Sequence, residues 1–301
     1  MASENAQPVI QRVLTEQEQG HETRKRIFER LDRTLGRPVV SFFTSFRYPV
    51  MMEDADADML EGVLRTTDTS KGFALCISSP GGDSLAAERI VNVCRAYSGT
   101  GEYWVIVPGK AKSAATMVCF GASKVVMSAT SELGPIDPQL VRVEDGVRKW
   151  FSVFNLVKSY EDLFDRAVKA KGNLEPFLQQ LANYDEREIA EFRAALALSE
   201  DIAVRCLTSG MMSGVREDEI KERIRTFLTP ERTKIHGRPI YYEEARECGL
   251  TVEPKDVADP AWGPIYELYV RTDNFVSTKV AKCIESRERS FVAAYREAQD
   301  G

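Results

Sequence analysis

The stretch of sequence that decides the fold spans residues 72–127 and reads GFALCISSPGGDSLAAERIVNVCRAYSGTGEYWVIVPGKAKSAATMVCFGASKVVM. Three short apolar runs within it have the length and composition of buried strands, at residues 72–78, 103–107 and 124–127. Between them, apolar residues recur at helical spacing over residues 85–97 and 114–121. This alternation predicts an α/β fold in which a mostly parallel sheet with right-handed crossovers carries helices on its faces.

The flanking segments extend this core. Residues 38–45 (PVVSFFTS) read as a further strand, and residues 54–64 open with acidic residues that suit a helix N-terminus. After residue 153 the strand signals nearly vanish, and amphipathic helical runs continue to residue 228. We therefore predict five segments: an N-terminal helical arm (1–36), an α/β core (37–152), a helical insertion (153–228), a completion of the core (229–260) and C-terminal helices (261–301).

Composition and charge exclude several classes of protein. The chain has 301 residues and a net charge of −6, which argues against a general nucleic-acid binder. Its six cysteines form no CxxC pair and lack zinc-ligand spacing, so we predict no metal, no cofactor and a reducing compartment. The chain shows no secretory signal and no apolar run of 18 residues. We therefore expect a cytoplasmic protein without a membrane span.

Paired glycines follow the first strand of the quoted stretch, in SPGGD at residues 79–83. Glycines at such a turn let backbone N–H groups approach a ligand closely. Two such groups can stabilise a tetrahedral oxyanion, a contribution of about 3–4 kcal/mol per donor. A tight strand-to-helix turn is the simpler interpretation of this motif taken alone.

A serine begins the helix after the second strand, in GKAKSAAT at residues 109–116. Ser113 there would face the positive end of the helix dipole, which favours the charge that develops in acyl transfer. Serine is also a preferred N-cap, and that is the favoured interpretation of this residue in isolation. Lys110 and Lys112 are expected to be solvated.

The remaining candidates are one aspartate and two histidines. Asp137 lies in SELGPIDPQ at residues 131–139, where it either caps backbone N–H groups or orients an imidazole. His21 lies in the polar N-terminal arm and is expected to be exposed. His236 precedes a predicted short strand and is the better general base, although a surface histidine would fit the same loop.

Taken together and in order, these segments resemble the Clp-fold serine peptidases. The resemblance rests on ISSPGGD at 77–83, PGKAKSAATMVCFGASKVVM at 108–127 and SELGPIDPQL at 131–140. That superfamily includes the Clp protease proteolytic subunit, signal peptide peptidase A and the crotonase-like enzymes. The sequence is most similar to the serine dehydrogenase proteinase family, densely over residues 37–142 and more thinly over residues 228–252.

The resemblance implies a Clp/crotonase-like fold and a set of catalytic roles. Ser113 would be the nucleophile, His236 the general base and acid, and Asp137 the residue that orients the imidazole. An oxyanion hole would use backbone N–H groups of Gly81, Gly82 and Ala114.

The implied function is that of a soluble, ATP-independent serine peptidase that cleaves peptides or unfolded chains through an acyl-enzyme. It would assemble into a homo-oligomer.

Three alternatives remain open from the sequence. A Ser–Lys dyad would use Lys149 or Lys158 as the base, since a buried lysine can have a lowered pKa. A crotonase-like acyl-CoA enzyme would use the same paired N–H groups to hold a thioester oxyanion. A non-catalytic or partner-activated oligomer would use residues 1–36 and 153–228 as interaction surfaces.

Overall fold

A computed structural model of the chain describes residues 8–16, 19–47 and 50–295. Its strands, numbered along the chain, are β1 (Val39–Thr44), β2 (Phe73–Ser78), β3 (Tyr103–Val107), β4 (Lys110–Ala111), β5 (Lys124–Ser128), β6 (Glu132–Leu133), β7 (Gln139–Glu144), β8 (Val147–Ser152), β9 (Val252–Lys255), β10 (Lys282–Glu285) and β11 (Ser290–Ala293). Seven of them form one sheet in the order β11-β10-β1-β2-β3-β5-β9. The five strands from β1 to β9 are parallel, and β10 and β11 extend the sheet antiparallel beyond β1.

The helices in the described part of the chain are α1 (Val9–Thr15), α2 (Glu22–Leu35), α3 (Asp54–Leu64), α4 (Ser84–Tyr97), α5 (Ala114–Phe120), α6 (Val153–Lys169), α7 (Glu175–Leu181), α8 (Glu186–Ser209), α9 (Glu217–Arg223), α10 (Arg225–Leu228), α11 (Pro230–Thr233), α12 (Tyr242–Glu247) and α13 (Trp262–Thr278). Two small strand pairs complete the fold: β4 with β6, and the hairpin β7–β8.

The central sheet is covered on both faces, which is why its parallel strands read as nearly continuous apolar runs. On one face, Phe42, Leu75 and Val105 belong to the core that α3, α4, α5 and α8 cover. On the other face, Phe43 and Ile106 belong to a second core, under α2 and α13. The predicted α/β class with a mostly parallel sheet is confirmed.

The N-terminal region contributes to the second core. Helix α2 buries Ile27, Phe28 and Leu31, and it packs on α13. The expectation that His21 is exposed is wrong, because its ring is partly buried and Nε2 lies 2.7 Å from the carbonyl oxygen of Ser286. A carbonyl oxygen only accepts, so Nε2 of His21 carries the proton.

The C-terminal segment differs from its prediction. Residues 261–301 were expected to form helices, and α13 does so, but residues 282–285 and 290–293 form antiparallel strands at the sheet edge. Strand β10 reads KCIE and is buried along its whole length. The charged residues at its ends, Lys282 and Glu285, are buried in ion pairs, so no apolar alternation marks the strand in the sequence.

The six cysteines are buried. Within the described residues, no helix is long and apolar enough to cross a membrane. No cluster of three metal-ligating side chains occurs in that part of the chain either.

Candidate active site

The candidate site lies at the carboxyl ends of the parallel strands, the edge at which α/β sheets place their ligands. Residues 79–83 follow β2, Ser113 follows β3 and β4, and the loop with Asp137 follows β5 and β6. The small pair β4–β6 and an isolated bridge between Ser79 and Ala111 hold these three loops against one another. Segments far apart in sequence therefore meet at one place.

Ser113 has an unusual backbone conformation. Its φ of 51° and ψ of −123° lie in a region that side chains with a Cβ rarely adopt. The residue stands at the N-cap position of α5, yet its side chain makes no capping hydrogen bond. The N-cap interpretation therefore does not account for this serine, which instead lines a cavity.

The two glycines allow the backbone of residues 79–83 to approach both Ser113 and the loop that follows β1, which contains Met52. A Cβ on Gly81 would lie 2.7 Å from Cβ of Ser113 and 2.5 Å from the carbonyl oxygen of Lys112. A Cβ on Gly82 would lie 2.2 Å from the carbonyl oxygen of Met52. No side chain fits at either position, so the motif sets the distance between two loops.

The backbone N–H groups near Ser113 are not equally available. The N–H of Gly81 donates to Oγ of Ser79 at 3.1 Å. The N–H groups of Gly82 and Ala114 donate no hydrogen bond to any residue that the structure describes. Of the three predicted oxyanion donors, Gly82 and Ala114 are thus unoccupied and Gly81 is already engaged.

Asp137 is held from several sides in a loop with little freedom. The N–H of Ile136 donates to the carbonyl oxygen of Phe227 at 2.8 Å, and Oγ of Ser199 donates to the carbonyl oxygen of Ile136 at 2.9 Å. The N–H of Val153 donates to the carbonyl oxygen of Pro138 at 3.0 Å. The side chain of Asp137 has no exposed surface.

His236 lies directly against this carboxylate. Its Nδ1 is 2.7 Å from Oδ1 of Asp137, across 99 residues of sequence, and its side chain is 25% exposed. The loop that carries it is anchored by two backbone hydrogen bonds between Leu133 and Ile240, of 2.9 and 3.0 Å. A carboxylate oxygen only accepts, so Nδ1 carries a proton, and in the neutral form of the ring Nε2 has the lone pair.

Ser113 and His236 line the same cavity, which has a volume of about 610 Å³. Gly81, Gly82 and Ala114 also line it. Apolar side chains form much of the remaining wall: Phe46, Val50, Met51, Met117, Ile136 and Trp150. The cavity therefore combines a hydroxyl, an imidazole and two unoccupied N–H groups with an apolar surface.

The lysines near the site in sequence have other partners. The expectation that Lys112 is solvated is wrong: its Nζ lies 3.1 Å from Glu132 and donates to the carbonyl oxygen of Leu133 at 3.0 Å. Burial lowers the pKa of Lys112, and the Glu132 carboxylate opposes that shift. Lys149 and Lys158 do not line the Ser113 cavity, and Lys158 is half-exposed on α6 beside Asp162.

Two residues at the site were given no role by the sequence. Gln139 and Ser152 both donate hydrogen bonds to Oδ2 of Asp137, at 2.7 and 3.0 Å. Gln139 belongs to the quoted motif LGPIDPQ, but Ser152 belongs to none of the motifs. Ser152 does precede an amphipathic run, which is the signal of an N-cap, and it caps α6.

Comparison with known families is consistent with this arrangement. Residues 17–153 match the family described as ClpP-like SDH-type serine proteinase. That segment includes the SPGGD motif, Ser113 and Asp137, and it ends before His236. The match covers a little under half of the chain.

The relatives found among curated proteins have no described activity. An uncharacterized protein of Methanocaldococcus jannaschii is 29% identical over 218 residues, which are 72% of this chain and 63% of that protein. A second uncharacterized protein of the same organism is 27% identical over 49% of this chain and 48% of that protein. The chain thus spans less than two thirds of the length of either relative.

A solved structure also aligns with the chain. It is the membrane-bound stomatin-specific protease 1510-N, a variant in complex with a substrate peptide. The alignment has a TM-score of 0.28 and 14% identity, and it covers 74% of this chain and 94% of that one.

Proposed function

We propose that this protein is a serine peptidase in which Ser113, His236 and Asp137 act as a catalytic triad. The observation that carries the proposal is the shared cavity: the strained Ser113 faces it together with an imidazole whose Nδ1 is bonded to a buried carboxylate. The match of residues 17–153 to a serine proteinase family supports the same chemistry.

The proposed reaction proceeds by acyl transfer. Nε2 of His236 takes the proton of Ser113 as Oγ attacks the substrate carbonyl, and Asp137 stabilises the imidazolium that forms. The N–H groups of Gly82 and Ala114 are available to stabilise the oxyanion. The imidazolium then protonates the leaving amine, and water hydrolyses the acyl-enzyme by the reverse sequence of proton transfers.

We further propose that the substrates are peptides or unfolded chains and that ATP is not required. A cavity of about 610 Å³ at the molecular surface suits an extended segment of chain rather than a folded domain. No observation favours a coenzyme A substrate over a peptide. The geometry also favours His236 over Lys149 and Lys158 as the base, because neither lysine lines the cavity.

A fluorophosphonate probe tests this proposal, since it reacts covalently with activated serines. We expect stoichiometric labelling of the wild-type protein and none of Ser113→Ala. His236→Gln should lower the labelling rate by about 10⁴-fold or more, as loss of a triad member does in other serine hydrolases. Lys158→Met is the matched control and should label at the wild-type rate.

The substrate class is tested separately with fluorescein-labelled casein as an unfolded chain, with and without ATP. Degradation that is independent of ATP and lost in Ser113→Ala is the expected result. Equal labelling of wild type and Ser113→Ala, or wild-type labelling of His236→Gln, would contradict the triad.

A further inference from the structure

Two side chains outside the proposed triad converge on one oxygen of Asp137. Nε2 of Gln139 donates to Oδ2 at 2.7 Å, and Oγ of Ser152 donates to the same oxygen at 3.0 Å. The other oxygen, Oδ1, accepts from Nδ1 of His236. Gln139 has two further contacts, with the carbonyl oxygens of residues 137 and 138, but at 3.4 and 3.3 Å they are much longer.

The two donors are joined through the β7–β8 hairpin. Gln139 is the first residue of β7, Ser152 is the last residue of β8, and the two are cross-strand partners at its open end. Ser152 also accepts a hydrogen bond from the N–H of Asn155 as the N-cap of α6. Backbone pairing therefore places both residues beside Asp137, and helix capping also holds Ser152, independently of their contacts with Asp137.

Because Asp137 is buried, the loss of either hydrogen bond would leave its carboxylate without a replacement donor. The side chain of Asp137 has no exposed surface, so water cannot replace a missing donor to Oδ2. A carboxylate also rotates about its Cβ–Cγ bond, because that torsion has broad minima. Two donors on Oδ2 hold the carboxylate at the angle that turns Oδ1 towards His236.

We propose that Gln139 and Ser152 are positioning residues that act on His236 through Asp137. We call these two residues, at the open end of the β7–β8 hairpin, the clamp, because they hold the carboxylate of Asp137. Any role of this clamp in catalysis rests on the proposed peptidase function. The role of the clamp in fixing the tautomer of His236 does not rest on that function, because the tautomer follows from the hydrogen bonds alone.

Kinetics test the catalytic role. Ser152→Gly removes the hydroxyl while glycine remains an acceptable N-cap, and Gln139→Leu removes the amide without touching α6. Each variant loses one hydrogen bond to a charged group, so we expect kcat to fall about 10- to 100-fold. KM should stay within about twofold, because a positioning residue acts on the transition state rather than on substrate binding.

Two further variants separate positioning from general damage. Ser152→Thr keeps the hydroxyl and should recover most of the wild-type kcat. Asp185→Gly removes the N-cap side chain of α8, which accepts from the N–H of Arg187 and has no contact with Asp137. Its kcat should match that of the wild-type protein. Thermal unfolding followed by circular dichroism establishes that each variant is folded.

Nitrogen-15 NMR of the histidine rings tests the clamp without any substrate. The chain has two histidines, and the structure gives them opposite tautomers: His21 is bonded through Nε2 and His236 through Nδ1. At about pH 9, above the ordinary titration range of imidazole, the two neutral tautomers have distinct ring-nitrogen shifts. We expect the Nδ1–H tautomer of His236 to lose population in the Ser152→Gly/Gln139→Leu double variant, while His21 stays unchanged.

The clamp proposal and the peptidase proposal can be contradicted separately. An active wild-type enzyme whose double variant keeps its kcat and its His236 tautomer would overturn the clamp and leave the peptidase proposal intact. A wild-type protein that neither labels nor cleaves, but whose double variant loses the Nδ1–H tautomer, would overturn the peptidase proposal and leave the clamp intact.

Discussion

The backbone of Ser113, at the start of α5, has a conformation that serine rarely adopts. Its φ of 51° costs roughly 1–3 kcal/mol, so the surrounding residues must enforce it. Gly81 lies so close that a Cβ on it would be 2.7 Å from Cβ of Ser113, and Ala114 and Ala115 are buried in the first turn of α5. In this conformation the side chain makes no capping hydrogen bond to α5.

Close packing at Gly81 yields a prediction about Ser113, the proposed nucleophile. In Gly81→Ala, the new methyl group would lie 2.7 Å from Cβ of Ser113, so Ser113 must shift. We expect fluorophosphonate labelling to slow by about 100-fold, since a displacement of about 1 Å is enough to misalign reacting groups. The rate constant for labelling measures the effect.

The control is another glycine with free space around it. Beyond Gly172 and its two chain neighbours, no described residue has a heavy atom within 4 Å of the position that a Cβ would take there. Gly172→Ala should therefore label normally. Normal labelling of folded Gly81→Ala would show that Ser113 does not depend on this contact.

At the scale of elements, a single threonine connects the helix after Ser113 to the loop before Asp137. Oγ1 of Thr116 lies 2.8 Å from the carbonyl oxygen of Ala111 and 3.0 Å from that of Gly134, and its one proton serves one of them at a time. The same oxygen accepts from the N–H of Gly134 at 3.1 Å. Helix α5 and residues 131–139 are thereby fixed relative to each other.

Replacement of this hydroxyl should loosen the connection. Thr116→Val has nearly the same volume but leaves the N–H of Gly134 buried without an acceptor, at a cost of about 1–3 kcal/mol in the free energy of unfolding. Urea denaturation measures the loss. Thr116→Ser keeps the hydroxyl and should lose clearly less. A Thr116→Val variant as stable as the wild-type protein would show that the hydroxyl does not hold α5 to this loop.

The same scale shows how far the sequence predicts the structure. Strands β2, β3 and β5 are predicted to within one residue because both faces of the sheet are covered and the strands are therefore continuously apolar. Strand β10 escapes prediction because buried ion pairs replace apolar side chains at its ends.

The candidate site is predictable only in part. The order of motifs singles out Ser113, Asp137 and His236, whereas the contacts of Gln139 and Ser152 with Asp137 depend on the register of β7 with β8. The register is set by pairing across the hairpin, and the sequence around Gln139 and Ser152 does not predict it.

At the scale of the whole molecule, a buried ion pair joins two regions that are 261 residues apart in sequence. Nε and Nη2 of Arg24 on α2 donate to the two carboxylate oxygens of Glu285 on β10, at 2.7 and 2.6 Å. Both side chains are at most 1% exposed. Burial alone would raise the pKa of Glu285, but hydrogen bonds and charge from Arg24 outweigh it and lower the pKa.

This pair should make the stability of the protein depend on pH. The folded-state pKa of Glu285 lies below its ordinary value of 4.5, so its contribution is complete above that pH and is lost as the pH falls through the folded-state pKa. Glu285→Gln leaves Arg24 buried without a counter-charge and should lower the free energy of unfolding at neutral pH by about 3–5 kcal/mol.

Urea denaturation at a series of pH values measures the free energy of unfolding of the wild-type protein and of Glu285→Gln. The difference between the two should become smaller as the pH falls below 4.5. Glu288→Gln removes a partly exposed carboxylate from its pair with Arg287 and should cost no more than about 1 kcal/mol. A Glu285→Gln penalty that does not vary with pH would mean that the ionised carboxylate is not its source.

The pairing of β1 with β10 has a consequence for the newly made chain. Strand β1 leaves the ribosome early, but its outer edge stays unpaired until residues 282–285 have been translated. During that interval the growing polypeptide presents an open strand edge, the kind of surface at which chains aggregate. His236 also emerges 99 residues after Asp137, which itself follows Ser113 in the chain. On the proposed mechanism, a nascent chain would therefore hold Ser113 without its base, and the proposed hydrolytic activity would begin only after His236 has been synthesised.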